Sequence, residues 1–88
     1  MKIKDGFVVR EIAGITYAVA TGKRSKEFSG MLRLTPTGEF IWNELSSDKT
    51  IEQLVEKVTS EYEVDAATAK ADIEAFLEKL AEANVLEG

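Results

Sequence analysis

The chain of 88 residues has no cysteine, no histidine and only one proline. Without thiols it forms neither disulfides nor thiolate metal sites, which fits a reducing compartment such as the cytoplasm. Histidine is the commonest general base of enzymes, and the cysteine thiolate is an intrinsically strong nucleophile. We therefore expect a non-catalytic protein that holds no metal and no other cofactor.

Long apolar runs are also missing. The longest extend over a few residues, far below the length of a membrane span, and no signal-peptide pattern opens the chain. We therefore expect a cytoplasmic protein without a membrane partner. Apolar residues still make up 44% of the chain and charged residues 31%, which is typical of a globular protein. The length predicts one domain, over residues 1–88.

Acidic side chains are scarce in the first part of the chain and basic ones in the rest. Residues 1–34 carry seven basic and three acidic side chains, a balance of +4, and residues 35–88 carry four and thirteen, a balance of −9. This asymmetry indicates a binding protein with two electrostatic surfaces, although a solvated acidic helical half would give the same pattern.

Beta-branched and aromatic runs in the basic part predict strands at residues 7–12, 15–20 and 31–34. The first two are separated by Ala13 and Gly14, which predicts a two-residue hairpin turn with Gly14 at positive φ. In the acidic part the apolar period becomes helical and predicts helices at about 36–45, 51–62 and 66–83. The sequence thus predicts the α+β class, with a three-stranded antiparallel sheet followed by three helices.

Capping residues mark the helix ends: Thr35 before Pro36, Thr50 with Gln53, Asp65, and Asn84 as a left-handed stop before Val85 and Leu86 return to the core. Apolar spacing predicts the buried side chains: Phe40, Ile41 and Leu45 with Trp42 at the flank; Ile51, Leu54, Val55, Val58 and Tyr62; and Ala69, Ile73, Phe76, Leu77, Leu80 and Ala83.

Candidate reactive groups are few. Ser25 and Lys26 could serve as nucleophile and base, but a solvated loop explains them better. Three carboxylates, Glu61, Glu63 and Asp65, cluster between the second and third helices. They lack the spacing and the glycine of a calcium loop, so we interpret them as a solvated turn with a helix cap.

A sheet followed by three helices also occurs in winged-helix nucleic-acid-binding domains, which makes such a module the alternative function. Residues 50–63 and 65–83, which contain the predicted second and third helices and their flanking caps, each carry a balance of −3 and would repel phosphates. Only the cluster of Lys23, Arg24 and Lys26 suits a nucleic acid, and it would support weak nonspecific contact. We therefore expect no nucleic-acid partner.

Peptide binding fits the remaining features. A three-stranded sheet leaves an edge whose N–H and C=O groups can pair with a partner strand. The strand at 31–34 is a candidate, with Leu32 and Leu34 on one face and Met31 and Arg33 on the other. The same pattern fits a central, fully paired strand. Free edges can also pair two copies, so we expect a monomer or an edge-mediated or strand-swapped dimer.

The run LTPTGEFIW at residues 34–42, entered from a short glycine-bounded strand, resembles the PqqD family of RiPP recognition elements. The resemblance continues through residues 50–55, 62–65 and 72–77 to Leu86. It implies a winged helix-turn-helix-like fold that binds the leader segment of a ribosomal precursor peptide as an extra strand on the third strand, in a groove bounded by the third helix. It further implies delivery of that peptide to a maturation enzyme, commonly a radical S-adenosylmethionine enzyme.

Carried over by position, the resemblance implies an edge strand formed by Met31, Leu32, Arg33 and Leu34. For the helical side of the groove we choose one border of the third apolar stripe: Asp72, Ala75, Phe76 and Lys79. Arg33 would favour an acidic residue in the leader. The link at residues 21–30 is longer than in members of the pyrroloquinoline-quinone pathway and resembles free-standing recognition domains of other pathways.

Overall fold

The computed structural model describes residues 1–22 and 31–87. Within these ranges it contains, in chain order, β1 (Lys2–Ile3), β2 (Phe7–Ile12), β3 (Ile15–Ala20), β4 (Met31–Leu34), α1 (Pro36–Glu44), α2 (Ile51–Glu61), α3 (Ala66–Glu82) and β5 (Leu86–Glu87). Strands β2, β3 and β4 form an antiparallel sheet, and the three helices follow it. The predicted α+β class is confirmed.

The hairpin of β2 and β3 turns at Ala13 and Gly14, as the sequence predicts. Both residues have positive φ, +53° and +80°, the combination that defines a type I′ turn and matches the twist of the flanking strands. The prediction gave positive φ to Gly14 alone. Ala13 adopts it too, although an alanine in this region has no glycine-like freedom.

Strand β4 lies at the edge of the sheet. The order is β2-β3-β4, so β3 is central, and among the described residues β4 pairs with β3 alone. Its four residues pair in register from Val19–Met31 to Thr16–Leu34. The alternative of a central, fully paired strand at 31–34 is therefore wrong for the described part of the chain.

The helices begin at the predicted caps. Thr35 Oγ1 accepts a hydrogen bond from Gly38 N at 3.0 Å, and Thr50 forms a reciprocal capping box with Gln53. Asp65 Oδ1 accepts from Thr68 N at 2.7 Å. Each helix ends one residue before its predicted end, which is occupied by a cap residue instead. The left-handed stop is confirmed by a φ of +58° at Asn84.

The core lies between the sheet and the helices. Its most completely buried large side chains come from all three helices and the segments that follow them: Ile41, Leu45, Leu54, Ile73, Leu80 and Val85. On the sheet, Ala18 is 1% exposed and Leu34 is 3% exposed. The predicted return of the chain after α3 is confirmed, because Val85 is fully buried.

Two aromatic residues of α1 exchange their predicted places. Trp42, expected at the flank, is 6% exposed, and Phe7 packs edge-on against it with ring centroids 5.9 Å apart. Phe40, expected in the core, is half-buried and packs edge-on against Tyr62, which is itself exposed. Helical spacing identifies the apolar side of α1, but it does not show which flank of the helix β2 covers. In the structure Phe7 of β2 covers Trp42, which is why the tryptophan is buried.

A second, two-stranded sheet was not predicted. Strand β1 pairs with β5 through Lys2–Glu87 and Ile3–Leu86. Ile3 N donates to Leu45 O, and Lys4 N donates to Val85 O, both at 2.9 Å. Strands of two residues are too short to show alternation in a sequence, so the pattern could not reveal them.

Candidate functional site

The hydrogen bonds of the hairpin fix which backbone groups of β4 are free to bind a partner. In an antiparallel pair, opposed residues alternate between those that exchange backbone hydrogen bonds and those that do not. Thr21 N donates to Gly6 O at 2.8 Å, in continuation of the β2–β3 register. The odd-numbered residues of β3 therefore bond to β2, and its even-numbered residues bond to β4.

The same alternation carries across to β4. Thr16 and Ala18 of β3 are opposite Leu34 and Leu32, so these two leucines direct their N–H and C=O groups to β3. Met31 and Arg33 lie between them in the alternation. Their backbone N–H and C=O groups therefore point away from β3, to the edge at which no other strand of residues 1–22 and 31–87 pairs. A strand added at this edge would pair with Met31 and Arg33.

The two faces of β4 differ in chemistry. Leu34 is buried and Leu32 is half-buried, and both pack on the core beneath the helices. Met31 is 53% exposed and Arg33 is also exposed, on the opposite face. The predicted division of these four side chains is confirmed. In an added strand, successive side chains would alternate between these two environments.

A cavity of about 290 Å³ opens directly beyond the end of β4. It lies between the start of α1 and the middle of α3, and its lining residues are Thr35, Thr37, Gly38, Ile41, Asp72 and Phe76. Phe76 is half-buried and supplies an apolar ring, whereas Asp72 is exposed and supplies a carboxylate at the rim. The cavity is large enough to take an apolar side chain of a peptide bound along β4.

The four α3 residues chosen from the sequence are not equivalent. Asp72 and Phe76 line the cavity with the residues that follow β4. Ala75 and Lys79 are exposed and do not line it. The structure thus brings two of the four chosen positions to the end of the edge strand, and the other two, on the same border of α3, do not adjoin the cavity.

Gly38 sets the distance between α1 and α3 at this cavity. A β-carbon built on Gly38 would lie 3.1 Å from Phe76 Cε1 and 3.2 Å from Thr35 Oγ1. Both distances are too short for ordinary contact, so the missing side chain allows the phenyl ring to lie over the first turn of α1. The position of Phe76, and with it the shape of the cavity, depends on this glycine.

Of the three carboxylates between α2 and α3, Asp65 caps the helix that follows. The hydrogen bond from the Thr68 backbone N–H, followed by that from its side chain, holds the pKa of Asp65 below its ordinary value of 3.8. Across residues 1–22 and 31–87, no three carboxylates come together as a metal site. Asp65 is therefore a cap that is charged at neutral pH.

Some sequence-based interpretations concern residues that the structure does not describe. The cluster of Lys23, Arg24 and Lys26, the Ser25–Lys26 pair and most of the long link at 21–30 lie outside the described residues. In the part that is described, the helices are too short or too polar to cross a membrane.

Comparison with known proteins identifies the family. The profile of "Coenzyme PQQ synthesis protein D (PqqD)" matches residues 17–86. The chain belongs to the PqqD family. This match includes β4, the three helices and the whole lining of the cavity. No curated protein sequence matches the chain.

A solved structure shares the fold of this PqqD-family chain over its whole length. It is TbiB1 in complex with the TbiA(beta) leader peptide, with a TM-score of 0.77 and 31% sequence identity. The similarity covers 100% of this chain and 96% of that one. This chain thus shares its fold with a protein whose structure was solved in complex with a leader peptide.

Sequence reasoning missed one side of the cavity in this PqqD-family member. It assigned the helical boundary to α3 alone, whereas Thr37, Gly38 and Ile41 of α1 contribute as much. The signal was present, because all three lie within the run at residues 34–42 on which the resemblance rests. A glycine in the first turn of a helix costs about 1 kcal/mol relative to alanine, which points to a close approach there.

Proposed function

We propose that this chain binds the leader segment of a ribosomally synthesised precursor peptide by strand addition to β4 and delivers it to a maturation enzyme. The domain itself is non-catalytic, and the enzyme is of the radical S-adenosylmethionine type common in these pathways. The domain comprises residues 1–88 and works in the cytoplasm.

One observation carries this proposal: an open sheet edge and a cavity meet at the end of β4 in a PqqD-family chain. Backbone groups of Met31 and Arg33 face the edge, and Phe76 lies in the adjoining cavity. These are the two parts that strand addition needs, a hydrogen-bonding ladder and a pocket for alternate side chains. The similarity to TbiB1, solved in complex with a leader peptide, supports leader binding by this chain.

The proposed site contains Met31, Leu32, Arg33 and Leu34 on the strand, and Asp72 and Phe76 on α3. We add Thr37, Gly38 and Ile41, which complete the cavity. Ala75 and Lys79, also proposed from the sequence, would contact a leader only where it extends past the cavity, because both are exposed and neither lines the cavity.

The small size of the edge determines how binding energy is distributed. Two residues with outward backbone groups provide only a short ladder, and each net hydrogen bond contributes about 0.5–1.5 kcal/mol. Ordering a flexible peptide has an entropic cost that such a ladder barely offsets. The ladder alone is therefore insufficient, and an apolar leader side chain in the cavity beside Phe76 must contribute as well.

Titration of the isotope-labelled chain with a synthetic leader tests the proposal. The leader is taken from the precursor peptide encoded beside the gene of this chain. We expect the amide resonances of Met31 and Arg33 to shift strongly with that of Phe76, and amide exchange at Met31 and Arg33 to slow. The amides of Leu32 and Leu34, already bonded to β3, should keep their protection.

The opposite outcome is equally specific. If saturating leader leaves the resonances of β4 and the Phe76 region unchanged, strand addition at this edge is wrong. A scrambled leader of the same composition is the matched control, because it retains the charge of the peptide while the spacing of its apolar residues is lost.

A further inference from the structure

The sheet has a second face, turned away from the helices, which we call the outer face. Its apolar residues are Val8 and Ile12 of β2, Ile15, Tyr17 and Val19 of β3, and Met31 of β4, as the pairing register requires. Ile12 is 50% exposed and Met31 53%. Scattered apolar residues on a surface are ordinary, but here they adjoin across three strands, which is typical of an interaction surface.

The charge of the outer face has one sign. Arg10, Tyr17 and Arg33 are consecutive partners across the three strands, so two guanidinium groups flank a tyrosine in one row. Strands β2, β3 and β4 place no acidic side chain on this face, since Glu11 has the opposite parity. A complementary surface would be apolar with carboxylates aligned to this row.

A bound leader would enlarge this face. Strand addition at β4 makes the sheet four-stranded, and the leader residues opposite Met31 and Arg33 project their side chains on the same side as these two. The outer face would then consist of three strands of the chain and one of the leader. A protein that docks there contacts both at once.

We propose that the outer face is the docking surface for the maturation enzyme, which binds it through an apolar patch bearing carboxylates. This inference rests on the proposed function, because the enzyme is the partner that function requires. The enzyme then binds the loaded domain more tightly than the empty one. By linkage, the enzyme increases the affinity of the domain for the leader by the same factor.

A second copy of the chain fits this surface less well. A two-fold dimer places the same patch on both sides of the interface, so the arginines of one copy would face the equally basic outer face of the other. The helices that could neutralise them lie on the other side of the sheet. An enzyme with an acidic patch meets no such repulsion.

The test uses Arg10, which lies two strands away from the leader edge. The probes are the purified maturation enzyme and the synthetic leader encoded beside the gene of this chain. We expect Arg10→Glu to weaken enzyme binding by about tenfold or more, while leader affinity stays within about twofold. The matched control is Lys57→Glu, an equal change of charge at an exposed position on α2, which should alter neither affinity. Circular dichroism confirms that both variants are folded.

A second readout is the coupling itself. Enzyme affinity measured with and without saturating leader should rise with leader, and leader affinity should rise equally with enzyme. The proposal is overturned if Arg10→Glu binds the enzyme as tightly as wild type does, or if Lys57→Glu loses as much enzyme affinity as Arg10→Glu. It is overturned as well if the wild-type domain binds no enzyme in the presence of leader. It is also overturned if sedimentation shows that Arg10→Glu instead separates a dimer. Failure of the wild type to bind leader alone would refute the proposed function, which is a separate result.

Discussion

The two faces of β4 differ in burial and in charge. On the helix side, Leu32 and Leu34 pack on the core beside a cavity that contains Phe76. On the outer side, Met31 and Arg33 are exposed and continue a basic, apolar surface. One strand of four residues thus carries the proposed peptide site on one face and the proposed docking surface on the other. Because the side-chain period of a strand is two, the two proposals assign neighbouring residues to different partners.

The sharpest test of this comparison uses proline at two adjacent positions. Arg33→Pro removes an N–H that faces the open edge, where proline is tolerated, so the fold should survive. Leader affinity should fall by about 10- to 100-fold, because a ladder hydrogen bond is lost and the proline ring obstructs pairing. Leu32→Pro removes an N–H bonded to β3 and a half-buried side chain, and should lower the free energy of unfolding by about 2–5 kcal/mol.

Urea unfolding and calorimetric titration with leader measure these two effects. Arg33→Ala is the control for the side chain, since it retains the backbone N–H and should lower affinity by no more than about fivefold. If Arg33→Pro unfolds the protein while Leu32→Pro leaves it intact, the assignment of the hydrogen bonds is reversed and the outward positions are the leucines.

Truncation of Phe76 tests the helix side alone. Phe76→Ala removes the apolar ring from the cavity and should lower leader affinity by about tenfold, with enzyme docking to the empty domain unchanged. Phe40→Ala is the matched control, because Phe40 is also a half-buried aromatic residue but packs against Tyr62 instead. Equal losses of affinity in the two variants, measured by fluorescence anisotropy of a labelled leader, would place the anchor elsewhere.

A smaller effect is expected at Gly38. Gly38→Ala favours the helix by up to about 1 kcal/mol but forces the Phe76 ring, 3.1 Å from the new β-carbon, to move by a few tenths of an ångström. Thermal stability should therefore change little, while leader affinity falls about threefold. An unchanged affinity for leader in this variant would mean that the ring adjusts without altering the cavity.

The smallest effect concerns the start of α3 and depends on pH. The pKa of Asp65 is below 3.8 in the folded state, so its stabilising contribution is complete well above that pH. It is lost as the pH falls through the lowered folded value. Asp65→Asn should be less stable than wild type at pH 7, with the difference shrinking in acid. Thr50→Ala, at an uncharged cap, should lower the free energy of unfolding by about 1 kcal/mol at every pH in this range. Urea unfolding between pH 3 and 7 distinguishes the two.

The sequence predicted the side-chain faces of β4 because alternation is visible in four residues, and it predicted the helix starts because Thr35, Thr50 and Asp65 are strong local signals. It did not predict the direction of the backbone hydrogen bonds on β4. That direction depends on the β3–β4 register, which the long link at residues 21–30 leaves undetermined. The direction of these hydrogen bonds therefore follows from the pairing of β3 with β4 in the fold and not from the local sequence pattern.

The same limit applies to α3 and α1. Apolar spacing places Asp72, Ala75, Phe76 and Lys79 on one border of α3, but only packing against α1 decides which of them adjoin the cavity. The contact between Gly38 and Phe76 joins residues far apart in the chain, so no single helical period contains it. The family resemblance indicated which part of α3 to consider, and the structure shows that Asp72 and Phe76 are the residues there that line the cavity.

The two-residue turn at Ala13 and Gly14 has a consequence for the choice of substrate. The hydrogen-bond alternation that it sets on β3, together with the β3–β4 register, fixes the phase in which an added strand would pair with β4. A leader that slides by one residue would exchange its buried and outward side chains completely, whereas a slide by two would preserve them. Precursor peptides that bind this domain should therefore tolerate an insertion of two residues within the paired segment far better than an insertion of one.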